Sequence, residues 1–125
     1  MTRRTRRGAT PAVEPLVVAA YQHALQELAQ ADIPLCGACL EASVLMHQYL
    51  RDRDAPVQLV RRESEVGGHW TVRTPQAEYD PTIATWPDAP RSAQGLYVVE
   101  GDSPHHDWPE TEVDVPKAYA VWFGE

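Results

Sequence analysis

The chain has 125 residues and a mass of 14.0 kDa, 43% hydrophobic and 23% charged, the make-up of one ordinary domain that needs neither metal nor disulfide to hold its core. Eleven basic against 18 acidic residues give a formal charge of −7 and a pI near 5.1, which speaks against the clustered basic face of a nucleic-acid-binding protein. Arg3, Arg4, Arg6 and Arg7 hold four of the 11 cations, so residues 8–125 carry a formal −11.

The arginine-rich start is followed by an apolar stretch of only Leu16 to Ala20, behind Glu14 and Pro15. A secretory signal needs about 7–15 apolar residues and a membrane span roughly 20, so the expectation is a cytoplasmic protein with no membrane contact. Residues 1–12 read as a disordered basic tail and residues 13–125 as a single domain.

From Pro15 the apolar positions Leu16, Ala20, Ala24, Leu25 and Leu28 recur at helical spacing, and Pro34 stops the pattern. A second helix is expected from Cys39 to Arg53, with Ala42, Met46, Tyr49 and Leu50 inward. After Pro56, β-branched and aromatic runs predict strands at 57–62, 69–73, 77–80, 96–99 and 118–123, separated by prolines. The class is α+β: N-terminal helices packed on an antiparallel sheet of four to five strands.

The chemistry gathers at three points. Gly37-Ala38-Cys39 leads into the second helix, so the Cys39 sulfur would face unpaired backbone N–H groups and the positive end of the helix dipole, which favours a thiolate. Gly67-Gly68-His69 places a histidine at a strand start, behind glycines that let a substrate come close, so Gly68 is a candidate substrate-binding position. A hairpin through Thr74-Pro75-Gln76 would bring Asp80 alongside His69, where a carboxylate fixes the imidazole tautomer and stabilises its charged form. Nucleophile, base and orienter are then Cys39, His69 and Asp80.

Gly37-Ala38-Cys39, the helix ending Tyr49-Leu50-Arg51-Asp52-Arg53-Asp54-Ala55-Pro56-Val57, His69-Trp70-Thr71-Val72 and Tyr79-Asp80-Pro81-Thr82 together resemble the transglutaminase-like branch of the papain-like cysteine protease superfamily, over about residues 37–83. Cys36-Gly37-Ala38-Cys39 is also similar to the Cys-Gly-Ser-Cys of papain-type proteases, and both comparisons select Cys39 as the nucleophile. Cys39-Leu40-Glu41-Ala42-Ser43 resembles the Cys-x-Glu-x-Asn of arylamine N-acetyltransferases, a kinship of fold. The sequence departs from the family in having Trp70 directly after His69 and Asp54 where the helix turn usually holds Gly. The papain-type glutamine of the oxyanion hole falls on Ile33, which leaves the Cys39 backbone N–H and, as a side-chain donor, Gln30.

The resemblance implies a papain-like core and a thiol-dependent hydrolase that cleaves an amide bond of a peptide or protein through a thioester. An acyltransferase or glutamine deamidase would use the same triad, and no metal or organic cofactor is implied. Trp86, on the proline-stiffened loop Thr85-Trp86-Pro87, is placed to stack on a substrate or else to pack in the core. Rival readings are a non-catalytic binding module and a Cys-x-x-Cys redox centre; the latter lacks a strand leading into Cys36. A zinc site of Cys36, Cys39, His105 and His106 lacks a second paired motif. Cys36 reads as a structural thiol, His23 and His47 as solvated, and His105-His106 as an exposed loop.

Overall fold

Sixteen residues beginning at a proline form the first helix, α1 (Pro15–Gln30), with Val17, Ala20, Tyr21, Ala24 and Leu28 buried along one stripe. The computed structural model describes residues 14–83, 96–101 and 103–124. The basic stretch of residues 1–12 and Trp86 lie outside the described residues.

The second helix, α2 (Cys39–Arg51), buries Ala42, Val44, Leu45, Met46 and Leu50. Both helices end alike. Asp32 and Asp54 take left-handed backbone angles, φ 61° and 58°, and the N–H groups of Ile33 and Ala55 return to the carbonyls of Leu28 and Leu50. This satisfies a carbonyl left over at each helix end, and the following Pro34 and Pro56 forbid continuation. Asp54 therefore occupies the backbone conformation that a glycine would take most cheaply.

Three longer segments build the sheet: β1 (Gln58–Ser64), β2 (Gly67–Arg73) and β3 (Glu78–Asp80), followed by the two-residue β4 (Tyr97–Val98) and β5 (Glu110–Thr111). The strand order is β4-β3-β2-β1-β5, all pairs antiparallel. Side-chain alternation splits the sheet in two. Leu59, Trp70, Val72, Tyr79 and Val98 pack with the helices in the apolar core. Arg62, His69, Thr71, Arg73, Glu78 and Asp80 fall on the other face, a layer of charge and hydroxyl partly covered by the segment around a 3-10 turn at Pro104–Asp107.

The run 118–123, expected as a strand, is helical, in α3 (Val115–Phe123). The Asp114 side chain accepts the N–H of Lys117, and Pro116 sits in the first turn, so a local N-cap outweighs the strand preference of Val, Trp and Phe. The sheet edge goes instead to β5, whose two residues carry no strand pattern. Among the described residues no helix is long and apolar enough to cross a membrane.

Candidate active site

Cys39 is the first residue of α2 and is half-buried. Ala38 precedes it with no side-chain cap, so the N–H groups of the first turn stay available beside the sulfur. His69 lies near the start of β2 and Asp80 at the end of β3, which in an antiparallel pair are the same end of the sheet. The β2–β3 register pairs Val72 with Tyr79; continued by one step it sets Thr71 opposite Asp80 and His69 on the adjacent diagonal.

That diagonal is closed by a hydrogen bond: His69 Nε2 lies 2.5 Å from Asp80 Oδ2, with both residues buried. The Cys39 side chain also hydrogen-bonds to His69, and because Nε2 is committed to Asp80, Nδ1 is the nitrogen left for the sulfur. Burial pushes the imidazole down, but Asp80 and then Cys39 more than reverse this and raise its pKa from 6.5 to about 9. The ring is thus an imidazolium at neutral pH, set between a carboxylate and a thiol.

Asp80 is held at all four acceptor positions. Oδ1 accepts the N–H groups of Thr82 and Ile83, both at 2.9 Å, in the turn that Pro81 starts. Oδ2 accepts His69 and, at 2.7 Å, the Nε2 of His105. Burial works to raise the Asp80 pKa, yet the His105 and His69 contacts bring it down from 3.8 to about 2. The carboxylate therefore stays charged with no exposed surface.

His105 was expected in an exposed loop; it is wholly buried, while His106 is exposed and bonds the Glu100 carbonyl. Its ring stacks on Tyr97, with centroids 5.7 Å apart and planes 14° from parallel, and touches Trp108 at 5.0 Å. Trp108 also meets His69 edge-on at 5.5 Å and screens the imidazole from water. The loop is tied down by Arg62, whose Nη1 donates to the carbonyls of His105 and Trp108. The remaining Arg62 donors, Nε and Nη2, grip Glu78 in a two-point ion pair at 3.0 and 2.8 Å. Burial would raise the Glu78 pKa, but Arg62, with Thr71 and Arg73, lowers it. Neither Arg62 nor His105 was legible from the sequence: nothing local distinguishes His105 from His106, and Arg62 reads as an ordinary strand arginine.

The other expected positions fall apart from this cluster. Gln30 is exposed at the last turn of α1. Gly68 is exposed opposite Glu63 on β1, and a Cβ there would lie 2.4 Å from Arg61 Nη2, so the room it leaves is taken by a guanidinium. Cys36 is an exposed free thiol rather than a structural one. His47, expected in solvent, is buried, with Nδ1 2.6 Å from the Tyr119 hydroxyl; burial and the Arg51 charge lower its pKa to about 4.

His69, Asp80 and His105 present ligand atoms within 4.8 Å of one another, the set best placed for a metal among the described residues. A metal would have to displace both imidazole donors from Asp80 Oδ2. Compared with protein-family models, curated proteins and solved structures, the chain matches none of them.

Proposed function

We propose that this chain is a thiol-dependent hydrolase of amide bonds in a peptide or protein, a cysteine peptidase or amidase with a papain-like, transglutaminase-like core. The observation that carries the reading is the continuous chain Cys39, His69, Asp80, with a histidine of raised pKa at its centre. A helix N-terminus and an imidazolium are the two surroundings that turn a thiol into a nucleophile near neutral pH.

The Cys39 thiolate attacks the carbonyl carbon, and the new oxyanion is met by free N–H groups of the first turn of α2. The carbon–nitrogen bond then breaks as the His69 Nδ1 proton passes to the leaving amine, giving a thioester and a neutral imidazole. Water attacks the thioester, His69 takes its proton, and the carbon–sulfur bond breaks to release the acid and regenerate thiolate and imidazolium. Asp80 keeps Nε2 protonated throughout and so directs Nδ1 to the reacting atoms.

Iodoacetamide labelling at pH 6 tests the reading. Cys39 reacts much faster than Cys36, and His69→Ala abolishes the difference; Cys36→Ala leaves it intact. Two equally slow thiols would refute the triad. A catalytic thiol is then assayed on a mixed fluorogenic peptide library, with and without an added amine, so that hydrolysis and transfer are read from the products.

A further inference from the structure

We propose that His105 is a positioning residue for the triad: its neutral ring, protonated on Nε2, keeps the Asp80 carboxylate ionised and aimed at His69. The proposal rests on the thiol-enzyme reading above.

A carboxylate with no exposed surface has lost its water and must replace it with donors. The turn at Pro81 supplies two, both on Oδ1. Oδ2 has His69 and His105. If His69 were the sole donor there, Oδ2 would be the more basic oxygen and would compete for the Nε2 proton, whose retention keeps the ring cationic and its Nδ1 proton available to the leaving amine. A second N–H on the same oxygen lowers that basicity and leaves the proton on the imidazole.

The protonation state of His105 follows from its surroundings. Among the described residues its Nδ1 has no hydrogen-bond partner, and it is buried. A charged ring would bury a second N–H with nothing to accept it, so the ring is neutral and carries its proton on Nε2. The charged and titratable groups in contact with it are Arg62 from β1, His69 from β2, Asp80 from β3 and Tyr97 from β4, with Cys39 of α2 beyond His69 and Glu78 of β3 beyond Arg62. Arg62 meets only its carbonyl, Glu78 is consumed by Arg62, and Tyr97 offers its ring face, so the imidazole is directed to Asp80 alone.

The test follows the rate of Cys39 alkylation from pH 4 to 9 in a Cys36→Ala background, with thermal unfolding recorded for each variant. His105→Phe keeps an aromatic ring without the donor, and His105→Gln places an amide N–H near the Nε2 position. The acid limb of reactivity moves up by about one pH unit in His105→Phe and returns close to the parent in His105→Gln. A folded His105→Phe with an unmoved limb, or equal shifts in both variants, overturns the proposal. Should the Phe variant not fold, nitrogen NMR of the unmutated protein decides: a ring that carries its proton on Nε2 supports it, and one that carries it on Nδ1 overturns it. An unreactive parental Cys39 instead brings down the thiol-enzyme reading, and this proposal with it.

Discussion

Arg62 of β1 stands directly across the ladder from His69 of β2, and its guanidinium, turned to the same face, ties the backbone of the His105 segment to Glu78. The register of one hairpin therefore places both the histidine that meets the thiol and the arginine that holds the loop behind it. Arg62→Met takes the two-point partner from the buried Glu78 carboxylate, leaving it Thr71 and the part-exposed Arg73, and frees two loop carbonyls. Leaving a buried charge uncompensated costs about 3–5 kcal/mol, and the remaining Thr71 and Arg73 contacts make that the upper bound here. Urea unfolding checks this, and Cys39 alkylation should slow in parallel as His105 leaves Asp80. Replacing Arg62 and Glu78 together by Met should cost less than the two single changes added. A loss below about 1 kcal/mol in Arg62→Met, with full thiol reactivity, would show that the clamp holds nothing.

The shifted pKa values of Asp80 and His69 set opposite ends of a pH window. Asp80 is depressed from 3.8 to about 2, so its contribution to folding is complete above 3.8 and is lost as pH falls through about 2. His69 is raised from 6.5 to about 9, so its contribution is complete below 6.5 and is lost as pH rises through about 9. A Cys39 thiolate gives up a proton as His69 gains one, so the alkaline slope is best measured in Cys39→Ala. There, with only Asp80 left to raise His69, stability falls as pH rises above 6.5 over a narrower window than the unmutated shift would give, and the fall disappears in Cys39→Ala/His69→Gln. In the unmutated protein, amide turnover declines through about pH 9 because the proton for the leaving amine is lost. Alkylation, which needs only the thiolate, does not decline. A turnover rate still rising at pH 10 would contradict His69 as the acid.

Asp54 closes α2 with φ 58°, a conformation that costs an ordinary L-residue roughly 1–2 kcal/mol and glycine nothing. Aspartate tolerates it better than most, and glycine is penalised by the greater freedom of its unfolded chain. Asp54→Gly is therefore expected to stabilise the fold by up to about 1 kcal/mol, with the thiol unaffected. Urea denaturation measures it, and a destabilised variant would mean that the exposed Asp54 side chain makes a contact of its own.

Legibility differed element by element. The α1 and α2 ranges, the β1–β2–β3 meander and the meeting of Cys39, His69 and Asp80 could all be read from local pattern, because helix stops, alternation and hairpin length act over a few residues. The C-terminal run could not, since its composition suits a strand while one cap and one proline make it a helix. Gln30 and Gly68 have suitable chemistry for a substrate site but lie exposed and apart from the triad, because chemistry without a register gives no direction.

Sequence alone thus determined that a thiol, an imidazole and a carboxylate would be carried on a helix start and two neighbouring strands, since each depends on short-range backbone preferences. Tertiary structure alone decided which group joins His69 on Asp80 Oδ2 and what holds that group in place. His105 reaches Asp80 from 25 positions away, and Arg62 reaches the His105 carbonyl from 43. Contacts of that span are selected by burial: groups removed from water must find donors and acceptors wherever the chain returns, and no local pattern records which ones they will be.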